Sequence, residues 1–167
     1  EDATRIGLEH ADKAIVLDPK FARAYTVRGW LHWFTYDFGT DWALSGERAG
    51  ADWRRAVELD PMDGEARAAL GVYLASKGLL SEAAVEFRQA IELAPMHAQV
   101  LRAVSFNLPY LGEVEEAMTL ADRALQLHAR HAQRIDEREA DQPGAQPRCE
   151  LCPAPQLPGA GHDLSPL

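Results

Sequence analysis

Apolar residues recur every three or four positions through most of this chain, a spacing that predicts amphipathic helices. Ala66, Leu70, Tyr73 and Leu74 show the pattern in mid-chain. The helix ends are also marked, because Asp63 suits an N-cap, Gly78 a left-handed end, and Ser81 the cap of the following helix. We therefore predict seven helices, at about residues 2–17, 22–36, 42–59, 64–77, 81–94, 98–110 and 113–135.

These helices belong to an internal repeat. Pro61 and Pro95 are 34 residues apart, whereas Pro19 precedes Pro61 by 42 residues. The extra 8 residues fall within Trp33–Arg48. Other positions that follow the 34-residue step are Ala49, Ala83 and Ala117; Ala56, Ala90 and Ala124; Leu59, Leu93 and Leu127; and Gly78 and Gly112. A fixed period of this length is typical of stacked two-helix units.

The best-preserved unit resembles a tetratricopeptide repeat. Its first helix contains Leu70-Gly71, its second contains Ala83, Phe87 and Ala90, and Pro95 ends it. The resemblance covers residues 1–131 and implies an all-α, right-handed α-solenoid of antiparallel helix pairs. The implied divisions are a second helix of a truncated repeat at 1–18, an inserted repeat at 22–63, and repeats at 64–97 and 98–131. In the last of these, Val104-Ser105 replaces Leu-Gly, and Pro109 interrupts the first helix.

The resemblance also implies a concave groove lined by the first helix of each unit, in which a peptide or partner segment binds. The expected groove residues are Arg23, Thr26, Trp30, Trp33, Glu65, Ala68, Val72, Gln99, Arg102 and Phe106, with Ala75 and Tyr110 beside them. Relatives that hold a chaperone's C-terminal carboxylate use a Lys/Asn/Arg clamp. Thr26, Trp30, Val72, Gln99 and Ala103 take the clamp positions here, and none of them binds a carboxylate by charge. We therefore expect a largely apolar protein or peptide partner carrying one acidic residue.

The aromatic cluster at the insertion has two interpretations. Its members are Trp30, Trp33, Phe34, Tyr36, Phe38 and Trp42. The first interpretation is a core that packs the inserted segment against the first helix pair. The second is a ligand-binding patch, since Trp and Tyr are enriched in binding hot spots.

Composition narrows the function classes. The chain has 17 Lys and Arg against 26 Asp and Glu, a net charge of −9, which disfavours nucleic acid and membrane surfaces as partners. It contains no apolar stretch of about 18 residues that could span a membrane. Two cysteines in 167 residues favour a reducing, cytoplasmic location. Residues 140–167, rich in Pro and Gly, are predicted to be a disordered tail.

Catalytic and metal chemistry find little support in the sequence. Cys149 and Cys152 form a lone C-x-x-C pair; His162 would be a third ligand, whereas a structural zinc site needs four. His128 and His131 share a helix face without a third ligand beside them. Because phosphate-loop, nucleophile-elbow and zinc-protease motifs are also missing, we predict a non-catalytic interaction module without cofactor or metal.

Two further expectations concern the context of the chain. Helix 2–17 lacks the partner helix of its unit, so its apolar strip (Ile6, Leu8, Ala11, Ala14 and Ile15) predicts self-association or further repeats upstream. The stretch Ala22–Pro61, with Gly29-Trp30 and Arg54-Arg55-Ala56, resembles repeats beside bacterial class III adenylate/guanylate cyclases or winged-helix regulators. The alternative function is therefore a regulatory segment of a larger bacterial signalling protein.

Overall fold

The computed structural model describes residues 2–34 and 42–140, with side chains at residues 3–34 and 44–135. Every element of secondary structure within those residues is a helix, which confirms the predicted all-α class. The α-helices are α1 (Asp2–Leu17), α2 (Ala22–Phe34), α3 (Trp42–Leu59), α4 (Gly64–Ser76), α5 (Leu80–Leu93), α6 (Ala98–Asn107) and α7 (Val114–Ala140).

The chemistry predicted for the two ends of α4 is confirmed. The Asp63 carboxylate accepts hydrogen bonds from the backbone N–H groups of Glu65 and Ala66 at 2.8 and 3.2 Å. These donors have no partner within the helix, so the cap stabilises its first turn. At the other end Gly78 has φ of 75°, the left-handed conformation that glycine adopts without steric cost.

The prediction that Ser81 caps α5 is wrong. The helix already begins at Leu80, and Leu79 takes the cap position without a side-chain hydrogen bond. The cause is the tight turn after α4, in which the backbone N–H of Leu79 donates to the carbonyl of Leu74 at 3.0 Å. This turn returns the chain directly into a helical path, so Ser81 falls inside the first turn of α5.

The region around Pro109 also differs from the prediction of a helix over 98–110. The α-helix α6 ends at Asn107, and Leu108–Leu111 forms a 3₁₀-helix that contains Pro109. Proline lacks the N–H needed to continue the α-helical hydrogen-bond ladder, which explains the change. Gly112, with φ of 82°, then turns the chain towards α7.

Small residues bring the helices of each pair close together. The repeated alanines Ala49, Ala83, Ala117, Ala56, Ala90 and Ala124 are all buried. Gly29 on α2 lies against Trp53 on α3, and Gly71 on α4 lies against Phe87 on α5. A β-carbon on Gly71 would be 2.5 Å from Cε1 of Phe87, so the missing side chain is what admits the ring.

The last pair is built differently, because Ser105 and Ala121 stand where the inner pairs have glycine and an aromatic ring. Ser105 is buried, and its hydroxyl donates to the carbonyl of Arg102 at 3.0 Å. The contact between α6 and α7 therefore depends on aliphatic residues such as Val104 and Leu120, which belong to one buried cluster.

The described helices fall into two compact units, divided between His131 and Ala132. The first unit consists of helices α1 to α6 together with α7 up to His131. Helix α7, which was predicted to end near residue 135, continues to Ala140. The predicted tail lies outside the described residues from position 141 onward.

Candidate functional site

A cleft of about 460 Å³ opens where α2, α4 and α6 come together. These are the first helices of successive pairs, the elements from which the groove was predicted. The lining residues are Trp30, Trp33, Phe34, Val72, Ala75, Ser76, Arg102, Ala103, Phe106, Asn107 and Tyr110. A concave, mostly aromatic and aliphatic lining with a few polar groups is typical of a ligand site.

Trp53 holds one wall of the cleft in place. Its ring is fully buried and meets Trp30 edge-on, with ring centroids 4.9 Å apart, and Trp33 at a tilt, with centroids 5.5 Å apart. The indole N–H of Trp53 donates to the carbonyl of Thr26 at 3.2 Å, which satisfies its buried polar atom. The cleft wall is therefore rigid, because it is backed by the core of the first pair.

The structure places the described part of the aromatic cluster between the core and the cleft, and the ligand-binding interpretation stays a prediction. Trp30 and Trp33 are partly buried and pack against both core clusters, yet each also lines the cleft. Phe34 stacks on Trp30, with ring centroids 5.5 Å apart, and is 56% exposed. Tyr36 and Phe38 lie outside the described residues, as does the side chain of Trp42.

The opposite wall consists of exposed side chains on α6 and the 3₁₀-helix. Phe106 and Tyr110 are 73% and 66% exposed. Arg102 adds a positive charge at the rim and donates from Nε to Oε1 of Gln99 at 2.8 Å. Most of the surface of these two rings is therefore accessible to solvent.

The structure brings five of the ten predicted groove residues together in this cleft: Trp30, Trp33, Val72, Arg102 and Phe106. Thr26 and Ala68 are buried in the protein, each 1% exposed. Gln99 is exposed and reaches the cleft through its hydrogen bond with Arg102.

Arg23 and Glu65 line a second cleft of about 560 Å³, at the amino ends of α2 and α4. They form an ion pair at 3.6 Å, and Glu65 also lies 4.0 Å from Nε2 of His97. These two predicted groove residues therefore line a separate cleft, away from the aromatic one.

Ser76 and Asn107 are cleft residues that the sequence did not indicate. Ser76 directly follows Ala75, the last groove position predicted on α4, and Asn107 directly follows Phe106, the last one on α6. Asn107 donates from Nδ2 to the carbonyl of Ala103 at 2.8 Å. A helix turns 100° per residue, so a groove position and its neighbour both reach a wide cleft, and widening the predicted stripe would have included them.

Features suited to metal binding or membrane insertion do not occur in the described part of the chain. No cluster of three His, Cys, Asp or Glu side chains forms within it, and His128 and His131 are both exposed. Cys149, Cys152 and His162 lie outside the described residues. Among the helices that the structure describes, none combines the length and the apolar character required to cross a bilayer.

Comparison with solved structures shows that the chain has the tetratricopeptide-repeat fold. The crystal structure of TTC0263, a thermophilic TPR protein in Thermus thermophilus, matches it with a TM-score of 0.60 and 20% identity, over 77% of this chain and 71% of that one. A crystal structure of MamA matches with a TM-score of 0.51 and 21% identity, over 75% and 69% of the two chains. No protein-family model matches this sequence, and no curated protein matches it either.

The predicted solenoid of helix pairs is therefore confirmed, and at these identities the similarity is one of fold. The resemblance to the repeats of class III cyclases and winged-helix regulators stays a prediction. So does the cytoplasmic location.

Proposed function

We propose that this chain is a non-catalytic module that binds a peptide or protein segment in the cleft between α2, α4 and α6. The observation that supports the proposal is the pairing of a rigid wall with an exposed one. Trp30 is fixed by Trp53, whereas Phe106 and Tyr110 project into solvent on the opposite side. A large aromatic side chain that is already held in place, as Trp30 is, loses little conformational entropy on binding, and exposed rings such as Phe106 and Tyr110 offer apolar surface for a partner to bury.

The lining defines the chemistry of the partner segment. Trp30, Val72 and Phe106 favour apolar side chains, and Arg102 at the rim favours one acidic residue. A short peptide would lie along the cleft by many small contacts and two or three anchors. The described lining residues include no pair of a nucleophile and a general base, so the proposed activity is binding without catalysis.

The test is a selection from a displayed library of random peptides against the full chain. Affinities of the selected peptides are then measured for wild type, Phe106→Ala and Tyr110→Ala. Both side chains are mostly exposed, so the variants should keep the wild-type melting temperature. We expect each to weaken binding about tenfold or more, the effect of removing an interface anchor.

Phe21→Ala is the matched control, since Phe21 is 46% exposed and lies in the second cleft. Its affinity for the selected peptides should equal that of the wild type. Arg102→Glu tests the acidic preference, and peptides selected on it should lose their acidic residue. Peptides that bind Phe106→Ala and Tyr110→Ala as tightly as wild type would contradict the proposal.

A further inference from the structure

An apolar hollow of about 450 Å³ lies between α1 and α2. Its lining includes Gly7, Ala11 and Ala14 of α1, together with Ala24 and Val27 of α2. Val27 is 42% exposed, and Ala14 is half-buried. The described part of the chain therefore leaves an apolar surface open between its first two helices.

The α1 side of the hollow consists of positions that the later pairs use to join their two helices. On the 42-residue step, Ala11 corresponds to Trp53, whose ring contacts Gly29 of α2. Ala14 corresponds to Ala56, which is fully buried. Helix α1 therefore presents the pair-contact positions of a second helix, and in the later pairs a first helix covers these positions.

The α2 side of the hollow indicates the same kind of cover. Val27 corresponds to Ala69 in α4 and to Ala103 in α6, which are 0% and 6% exposed. Both alanines belong to buried clusters that include residues of the preceding helix pair. Val27 has only α1 before it among the described helices, so the surface lacks the first helix that completes such a pair.

The small side chain of Ala11 defines what such a helix should carry. In α2 and α4 a glycine lies opposite the rings of Trp53 and Phe87. Ala11 offers only a methyl group in place of a ring, so a glycine opposite it would leave empty space. The hollow therefore favours a helix that has leucine, or a side chain of similar size, at this point.

Charge at the edge of the hollow defines a second feature. In the pair of α4 and α5, Arg67 donates from Nη1 to Oε2 of Glu86 at 2.9 Å and also to Gln89. Two units earlier, His10 and Lys13 take the positions of Glu86 and Gln89. A helix on α1 would therefore meet basic groups at the Arg67 position, which favours an acidic side chain there and disfavours an arginine.

These basic groups are available to a partner. Both His10 and Lys13 are exposed, and His10 lines the hollow. The acids nearby in the sequence, Glu9 and Asp12, each pair with an arginine. Neither His10 nor Lys13 forms an ion pair with a described residue, so an incoming acid would not have to displace one.

We infer that the hollow between α1 and α2 binds an amphipathic helix of a partner protein. The helix places a large apolar side chain over Ala11 and an acidic one beside His10 and Lys13. None of these residues lines the aromatic cleft that contains Phe106. The inference therefore goes beyond the peptide-binding function proposed above, and either can fail without the other.

The probe is a synthetic peptide with the sequence of residues 63–77, changed at three positions. Gly71→Leu supplies the apolar side chain, and Arg67→Glu supplies the acid. Ala69→Lys allows a lactam bridge to Glu65, four residues earlier, which keeps the peptide helical. At 100° per residue the bridge lies on the side opposite the two other changes. Fluorescence anisotropy measures binding of the labelled peptide to the full chain.

Val27→Glu should weaken binding of this peptide about tenfold or more, because it places a charge in the apolar hollow. Val85→Glu is the matched control, since Val85 is an exposed valine on α5, and it should bind the peptide as tightly as wild type. Melting temperatures verify that both variants are folded. A wild type that does not bind the peptide, or a Val27→Glu variant that binds it equally well, overturns the inference.

An exchange of charges tests the position of the acid without changing the apolar surface. His10→Glu recreates the Arg67–Glu86 pair for a second peptide that keeps Arg67. That peptide should bind His10→Glu about two- to fivefold more tightly than wild type, whereas the Arg67→Glu peptide should bind it more weakly. The same preference for wild type in both peptides overturns the inference.

Other occupants of the hollow give different results. A wild-type dimer in sedimentation equilibrium that dissociates with Val27→Glu would assign the hollow to a second copy of the chain and overturn the inference. A peptide whose affinity falls with Phe106→Ala, and not with Val27→Glu, has bound in the aromatic cleft. That result also overturns it.

Discussion

A β-carbon on Gly29 would lie 2.4 Å from Nε1 of the buried Trp53, so these two residues fit together because Gly29 has no side chain. The same relationship connects Gly71 and Phe87 in the next pair. The first helices of these two pairs, α2 and α4, therefore each have a flat site that accepts a ring from the second helix of the pair. The same contact in both pairs lets the two helices of each pair approach closely.

Gly29→Ala should destabilise the protein by about 1–3 kcal/mol, because the added methyl group would overlap the Trp53 ring in a core without free volume. Gly46→Ala is the matched control, since its β-carbon would meet the nearest atom of Trp33 at 3.9 Å, an ordinary contact. That variant should be neutral or more stable by up to about 1 kcal/mol from helix propensity. Urea unfolding checks both. Equal stabilities for the two variants would contradict this account of the pair contact.

Phe87→Ala should cost about 3–5 kcal/mol, because it removes a ring that is 1% exposed and leaves a cavity against Gly71. Val85, two residues earlier on the same helix, is 49% exposed, and Val85→Ala should change stability by less than about 0.5 kcal/mol. Thermal unfolding followed by circular dichroism measures both. A loss below about 1 kcal/mol for Phe87→Ala would show that the pair collapses around the missing ring.

Asp52→Asn should destabilise the protein more than Asp12→Asn. Arg28 donates from Nε and Nη2 to the two carboxylate oxygens of Asp52 at 2.8 and 2.6 Å, and from Nη1 to Asp12 at 2.7 Å. The hydrogen bonds with Asp52 are the main cause that raises the pKa of Arg28.

The two carboxylates differ in burial, which sets the expected size of each effect. The Asp52 side chain is 8% exposed, whereas that of Asp12 is 59% exposed and its ion pair is screened by water. We expect a loss of about 1–3 kcal/mol for Asp52→Asn and below about 1 kcal/mol for Asp12→Asn, measured by urea unfolding. Equal losses would show that burial does not decide the strength of this network.

His32 should make the protein less stable in mild acid. Burial lowers the pKa of His32 below the ordinary value of 6.5, with Arg28 and Arg48 acting in the same direction and Asp52 and Asp12 against it. Between the folded and unfolded pKa values the unfolded chain binds more protons, so stability falls as the pH drops below about 6.5. Above that pH both states are neutral and the contribution is complete.

The measurement for His32 compares unfolding free energies at two pH values on either side of 6.5, in wild type and in His32→Gln. The stability difference between the two pH values should be smaller in the variant, because the group that takes up the proton is gone. Titration of the His32 ring by NMR should give a midpoint below 6.5. A midpoint above that value would contradict the prediction.

Periodicity and spacing were sufficient to predict the helices, because the buried columns Ala49–Ala83 and Ala56–Ala90 recur at a fixed step. Local chemistry was less reliable. Asp63 caps α4 as predicted, but Ser81 does not cap α5, since the turn closed by Leu79 and Leu74 begins that helix early. Turn geometry of this kind depends on backbone hydrogen bonds that residue preferences describe poorly.

The candidate site was predictable in part. The helical step placed Trp30, Val72 and Phe106 on one side of their helices, and the structure brings them to one cleft. The helical step did not show that Thr26 is buried, because burial of that residue depends on how closely α3 packs against α2. Helix spacing, set by contacts such as Gly29 with Trp53, decides which groove positions remain open.

The pair of α6 and α7 has no counterpart of the Phe87 ring, because Ala121 stands at that position and Ser105 replaces the glycine that faces it. This difference has a consequence for dynamics. With less apolar surface joining α6 to α7, the amide protons of this pair should exchange with solvent sooner than those of α4 and α5, through local opening rather than global unfolding. Phe106 lies on the helix that opens. A ligand anchored there should therefore slow amide exchange in α6.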